Sequence, residues 1–185
     1  SLRPGEGARA VLAFLYLFLV IASYLLVKAI RNALFISEFG ALKLPYVMLG
    51  IAVLTGVLVS VYIRLARRIP AERLTVHTLL FFAGNVLIFW WLAAAGWKWL
   101  CPILYVWSGV FGVIATTQVW TLANDLFTVR EAKRVFGVVG SGGILGAAVG
   151  GSVAYRLAPV LGTPNLLLVV AGLLLAAAAT VVWMV

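Results

Sequence analysis

Carboxylates are scarce in this chain. Five of them stand against fourteen lysines and arginines, and charged residues of both signs fill only 10% of the 185 positions. Hydrophobic residues make up 65%, which leaves too little polar surface to cover a water-soluble globule of this length. Soluble classes are therefore excluded, and the solvent is a bilayer. Cysteine is almost absent: Cys101 stands alone, which excludes an internal disulfide and any multi-cysteine metal site. The lone histidine, His77, has no acidic or histidine neighbour with which to build a proton relay and reads as an interfacial residue. Ten-residue segments of alternating polarity are missing, which excludes a membrane β-barrel. The net charge of +9 is no nucleic-acid signature, because the cations sit in short clusters between apolar runs and form no continuous basic face.

What the chain does have is apolar runs, at 10–27, 44–63, 74–95, 100–123, 135–154 and 166–185. A helix needs about 20 residues to cross the ~30 Å hydrocarbon core, so each run is long enough for one span. The first is no cleavable signal peptide, since Lys28 and Arg31 follow it in place of a small-residue cleavage site. The expectation is an all-α membrane protein with six transmembrane helices at about 10–36, 44–63, 74–95, 100–126, 135–157 and 165–185, behind a cytoplasmic leader at 1–9. Short connections predict that consecutive helices are antiparallel neighbours. The loop cations Arg64, Arg67, Arg68 and Arg73, with Arg130, Lys133 and Arg134, place both ends in the cytoplasm by the positive-inside rule. A start at Ser1 and an end on the apolar run VVWMV read as a segment of a longer protein.

Polar residues inside the runs are the candidates for function. Lys28 and Arg31 lie three apart on one helical face, with Asn32 beside them. Two readings are open: the cations snorkel to the outer interface, or the helix runs on to about Ile36 and both face a water-filled cavity. The basic loop between the second and third helices is an anchor and turn; alternatively, its arginines, Arg67 and Arg68 among them, pair with Asp125 or Glu131 as a gate. Trp90, Trp91 and Trp97 suit an outer aromatic belt.

The fourth helix carries Gln118, Thr121 and Asp125 at i, i+3 and i+7, and Thr117, Thr121 and Asn124 at i, i+4 and i+7. Lipid penalises such a stripe, so it faces protein or water. A helix–helix hydrogen-bond seam is one reading. A cavity wall is the other, supported by the stripe's end in an acid beside Glu131, Lys133 and Arg134. In the fifth helix Gly142, Gly146 and Gly150 share a face, with Gly143, Ala147 and Gly151 on the next, a spacing that lets a second backbone approach closely. A phosphate-cradling glycine loop would need a strand feeding a helix, and no strand is expected here.

The run W-TLAND-LFTVR-EAKR-VF resembles the fourth-helix signature of the ATP/ADP translocase family of plastids and intracellular bacteria. Trp120, Ala123, Asn124, Asp125, Glu131, Ala132, Lys133, Arg134 and Phe136 fall in its places. The stretch 24–34 resembles the family's first helix, with Lys28 where it carries arginine and Arg31-Asn32 where it carries Lys-Asp; Gly40-Ala41 and Pro45 fit the connection that follows. Gly142 and the GAAVGG of 146–151 are similar to the fifth-helix antiporter motif of major-facilitator transporters, with Ala147 in place of its proline. The likeness is close over 120–136 and loose over the rest.

The resemblance implies the amino-terminal half of a major-facilitator-like carrier in a bacterial inner (plasma) membrane, built from two inverted three-helix units. It implies exchange of ATP for ADP, or of nucleotide for phosphate, by alternating access, with the first-helix cation and the fourth-helix acid, here Arg31 with Lys28 nearby and Asp125, as transport residues. Substrate contacts are expected from Lys28, Arg31, Asn32, Gln118, Thr121 and Asn124. Gating or coupling is expected from Asp125, Glu131, Lys133, Arg134, Arg67 and Arg68. The expected partners are a nucleotide, the bilayer and a carboxy-terminal half; no nucleic acid, metal, cofactor or enzymatic step is expected. The alternative is a membrane sensor or anchoring module that kept the carrier fold and lost transport.

Overall fold

A computed structural model describes residues 6–40, 42, 44–66 and 69–184, with the backbone alone described at residues 6, 44, 47, 65, 66, 126, 129, 130 and 132–134. Six helices follow one another: α1 (Glu6–Phe39), α2 (Leu44–Ala66), α3 (Ala71–Ala94), α4 (Leu100–Leu126), α5 (Val129–Leu161) and α6 (Leu166–Met184). No strand occurs among the described residues. Among the described residues, five helices carry stretches long and apolar enough to cross a membrane, and α2 carries a shorter apolar stretch, Met48–Arg64. Helices suit this composition because hydrocarbon offers backbone N–H and C=O groups no outside partner.

α1 starts four residues before and ends three after its expected bounds of 10–36. Lys28, Arg31 and Asn32 do not interrupt it, since long straight-chain cations are good helix formers and their charge is handled by side chains. Its 34 residues rise about 51 Å, more than the ~30 Å hydrocarbon core, so it projects from the apolar slab or tilts within it. Gly40, at φ 76°, takes the left-handed conformation that ends the helix.

α5 opens at Val129, six residues ahead of its apolar run. The charged turn is its first turns, organised by a capping box: the Thr128 N–H and hydroxyl each donate to Glu131 Oε2 at 2.8 Å, and the Thr128 side chain accepts from the backbone of residue 131. Thr128→Ala is expected to cost about 1 kcal/mol of stability by removing this cap, read as a lower unfolding midpoint in detergent; an unchanged midpoint would mean that tertiary contacts alone hold this end.

Consecutive helices are mostly not neighbours, contrary to the expectation from short connections. α1 is the centre, packed against α5 most extensively and also against α6 and α4; α3 packs on α6 and α4, and α2 on α4. A short turn ties helix ends together but leaves their lengths free to diverge, so side-chain fit chooses the partners. For α1 and α5 that fit is glycine: a Cβ on Gly142 would lie 2.5 Å from the Phe14 carbonyl oxygen, one on Gly150 2.6 Å from that of Ala22, and one on Gly146 would collide with that of Phe18. α2 and α4 run in the same direction, with Thr55 and Ile51 beside Gly109 and Tyr62 beside Gln118.

Candidate functional site

Arg31 lies inside the bundle. It is 9% exposed, and its Nη1 donates to Ser108 Oγ at 2.5 Å. Ser108 begins about 12 Å along α4 from Leu100, well within the helix. The guanidinium carbon sits 4.6 Å from the centroid of the Tyr105 ring. Tyr105 is fixed in turn, its hydroxyl donating to Asn32 Oδ1 and its ring edge-on to Phe35 at 5.2 Å. Ser108 donates its own proton to the Tyr105 carbonyl at 2.8 Å, which leaves its oxygen to accept from Arg31. Four polar side chains from α1 and α4, Arg31, Asn32, Tyr105 and Ser108, thus form one cluster whose partners are all neutral.

The charge itself is not neutralised. Arg31 makes no ion pair among the described residues, and its buried Nε has no partner there. A cation–π contact contributes ~0.5–2 kcal/mol and a charged hydrogen bond ~1.5–3 kcal/mol, against ~2.5–3.5 kcal/mol for an arginine at the centre of a membrane helix. These terms nearly cancel, so the neutral contacts orient the side chain while adding little to the fold. The group is a positioned cation with donor capacity left over, which is what an anion requires.

Lys28, one turn away, is exposed and makes no ion pair or hydrogen bond among the described residues. Gln118 is buried on the α2 side of α4, where its Nε2 donates to the Tyr62 hydroxyl at 2.5 Å. Thr121 is exposed and donates back to the Thr117 carbonyl at 3.0 Å, as Thr117 does to Val113 at 2.7 Å, so these hydroxyls satisfy their own helix. Asn124 and Asp125 are exposed at the far end of α4. Asp125 is about 25 Å of helical rise from Ser108, too far for direct contact with Arg31. Among the described residues Asp125 makes no ion pair, and the ion pair found is Lys98–Glu38, at 3.9 Å, at the opposite end. Glu131 is engaged in the capping box. Arg67 and Arg68 lie outside the described residues, as do the side chains of Lys133 and Arg134. Trp120 and Phe136, both in the W…VF run, meet edge-on at 5.6 Å and clasp α4 to α5.

Tyr105, Ser108 and Tyr62 are not evident from the pattern of the sequence. Tyr105 and Ser108 sit in CPILYVWSGV, which reads as ordinary apolar helix. The available signal is a spacing of i, i+3 and i+7 from Tyr105 through Ser108 to Gly112, whose Cβ position abuts the Tyr24 ring at 2.5 Å. That spacing marks the face turned to α1.

These features define an integral membrane protein, a bundle of apolar helices enclosing a positioned cation. The chain belongs to the TLC ATP/ADP transporter family, whose pattern it matches over residues 84–184. It is similar to the ADP,ATP carrier protein 3 of Rickettsia typhi and of Rickettsia prowazekii, 26% identical over 155 residues, which is 81% of this chain and 29% of each relative. The protein of the same name in Rickettsia felis is 33% identical over 66 residues, 35% of this chain and 13% of its own. The chain therefore spans less than a third of the length of the curated relatives it matches. No solved structure matches it.

Proposed function

We propose that this chain is one half of a nucleotide carrier, which exchanges ATP for ADP or a nucleotide for phosphate by alternating access. The observation that carries the reading is Arg31, a buried guanidinium held by neutral partners and, among the described residues, without an acid of its own. In a family of ATP/ADP transporters, an unneutralised cation inside the bundle is a place for substrate phosphates. Its planar fork accepts two phosphate oxygens at once, and the low-dielectric surroundings strengthen each bond. Asn32 sets the Tyr105 ring beneath it, and Lys28 adds a second positive charge nearby. Asp125, at the other end of α4, acts as a gating or coupling charge together with Glu131, Lys133, Arg134, Arg67 and Arg68 at the cytoplasmic mouth.

The remainder of the carrier is a second, major-facilitator-like half against which this bundle rocks, with the substrate between them. Both ends of the present chain lie in the cytoplasm, and the membrane is the bacterial inner membrane. The test is exchange by the intact protein in liposomes. Labelled ATP should enter vesicles loaded with ADP or phosphate, saturably, and not enter empty ones. Asp125→Asn should slow that exchange more than it weakens nucleotide binding. An intact protein that folds yet neither binds nor moves nucleotides would overturn the proposal.

A further inference from the structure

Where α3 begins and α6 ends, a cavity of about 370 Å³ is lined by Glu72, Arg73, Val76 and His77 from one helix and Val181 and Val182 from the other. It lies at a membrane boundary. The 24 residues of α3 rise about 36 Å, more than the ~30 Å hydrocarbon core, so its first turn stands at headgroup level. Helical side chains slant toward the N-terminus, and His77, one turn deeper, leans back to the same level. The side chains of Glu72 and Arg73 have no ion pair or hydrogen bond among the described residues. Adjacent residues on a helix point apart, which keeps this acid and base from pairing with each other. His77 Nδ1 donates to the Arg73 carbonyl at 2.6 Å, which leaves Nε2 of the neutral ring as an acceptor. The cavity thus holds a cation, an anion and a neutral acceptor beside an apolar wall.

We infer that this cavity holds a phospholipid whose headgroup carries both a phosphate and a primary ammonium, as phosphatidylethanolamine does. Arg73 takes the phosphate oxygens with its planar fork. The ammonium donates to the Glu72 carboxylate and to His77 Nε2, and an acyl chain lies along Val76, Val181 and Val182. Charge complementarity selects this headgroup over its relatives. An anionic headgroup without an amine would serve Arg73 but face Glu72 across the cavity unpaired. A quaternary ammonium brings the charge but no N–H to donate. Taken singly, Arg73 is a boundary anchor and Glu72 an acid that complements the helix dipole. Their convergence with His77 on one cavity with a valine wall is what a zwitterionic lipid fits, since basic recesses between membrane helices are where headgroups lodge.

The experiment is native mass spectrometry of the intact protein, stripped of lipid in detergent and titrated with phosphatidylethanolamine, phosphatidylcholine and phosphatidylglycerol of identical acyl chains. The unmodified protein should bind the ethanolamine lipid about 10-fold more tightly than either of the others, the consequence of losing the charged hydrogen bonds of the amine. Glu72→Gln should bind the ethanolamine and choline lipids alike and gain affinity for the glycerol lipid. Arg73→Gln should weaken all three, since each carries the phosphate. Soluble phosphoethanolamine should not displace the lipid, because it leaves the valine wall uncovered. Equal binding of the three lipids by the unmodified protein would overturn the inference and leave only unselective contact with the bilayer. A preference that survives in Glu72→Gln would overturn the assignment to this cavity, and a lower unfolding midpoint of that variant in lipid-free detergent would then make Glu72 a helix-dipole residue alone. Displacement by phosphoethanolamine would overturn the lipid and make the ligand a soluble zwitterion.

Discussion

Arg31→Ala is expected to lower the nucleotide affinity of the intact protein on the order of 100-fold, the loss of ~3 kcal/mol when a two-pronged charge-assisted contact to phosphate disappears. Arg31→Lys keeps the charge but not the fork, and should lose about 10-fold. What separates a binding role from a structural one is stability. Arg31→Met keeps the apolar stem and removes a buried charge that no carboxylate balances among the described residues. Ser108 still donates to the Tyr105 carbonyl, so its proton is not stranded by the change. The Met variant should therefore unfold at or above the midpoint of the unmodified protein while binding nucleotide poorly. A variant that binds normally but unfolds early would make Arg31 a structural residue and remove the support for a phosphate site.

Gly146→Leu is expected to cost 3 kcal/mol or more, at or above the upper end of the ~1–3 kcal/mol typical of overpacking. The added Cβ meets the Phe18 backbone, carbonyl carbon and Cα both at 3.1 Å, and neither can rotate away. α1 and α5 must then separate along a contact that Gly142 and Gly150 make equally close, and the whole seam loses packing. Gly151→Leu is the control: nothing lies within 4 Å of its Cβ position, and the change should be within about 0.5 kcal/mol of neutral. Unfolding by denaturing detergent, followed by helicity, reads both. Equal losses at the two positions would mean that the cost comes from adding a leucine side chain anywhere on this part of α5 and not from the α1–α5 contact.

Much of this protein is legible in its chain because hydrocarbon imposes few and simple demands. Backbone groups must be satisfied within the segment, so apolar runs are expected as helices, and the described residues do fold as six helices. The close likeness of 120–136 to a translocase signature agrees with the family that the chain matches over 84–184. The polar interruptions Arg31 and Gln118 were visible as candidates, since polar groups in an apolar run need a reason to be there. What neighbours each of them was not visible. Lys28 and Arg31 are equivalent by spacing, yet one is exposed and the other buried, because only Arg31 meets Ser108 and Tyr105 across an interface made with a helix 77 residues away in sequence. Likewise the acid–base cluster at 131–134 reads as a loop by charge, but a capping box turns it into the first turns of α5. Helix identity is a local property of solvent and backbone; helix partnership depends on which small residues let two backbones touch, and that was decided by Gly142, Gly146 and Gly150 finding the carbonyls of α1.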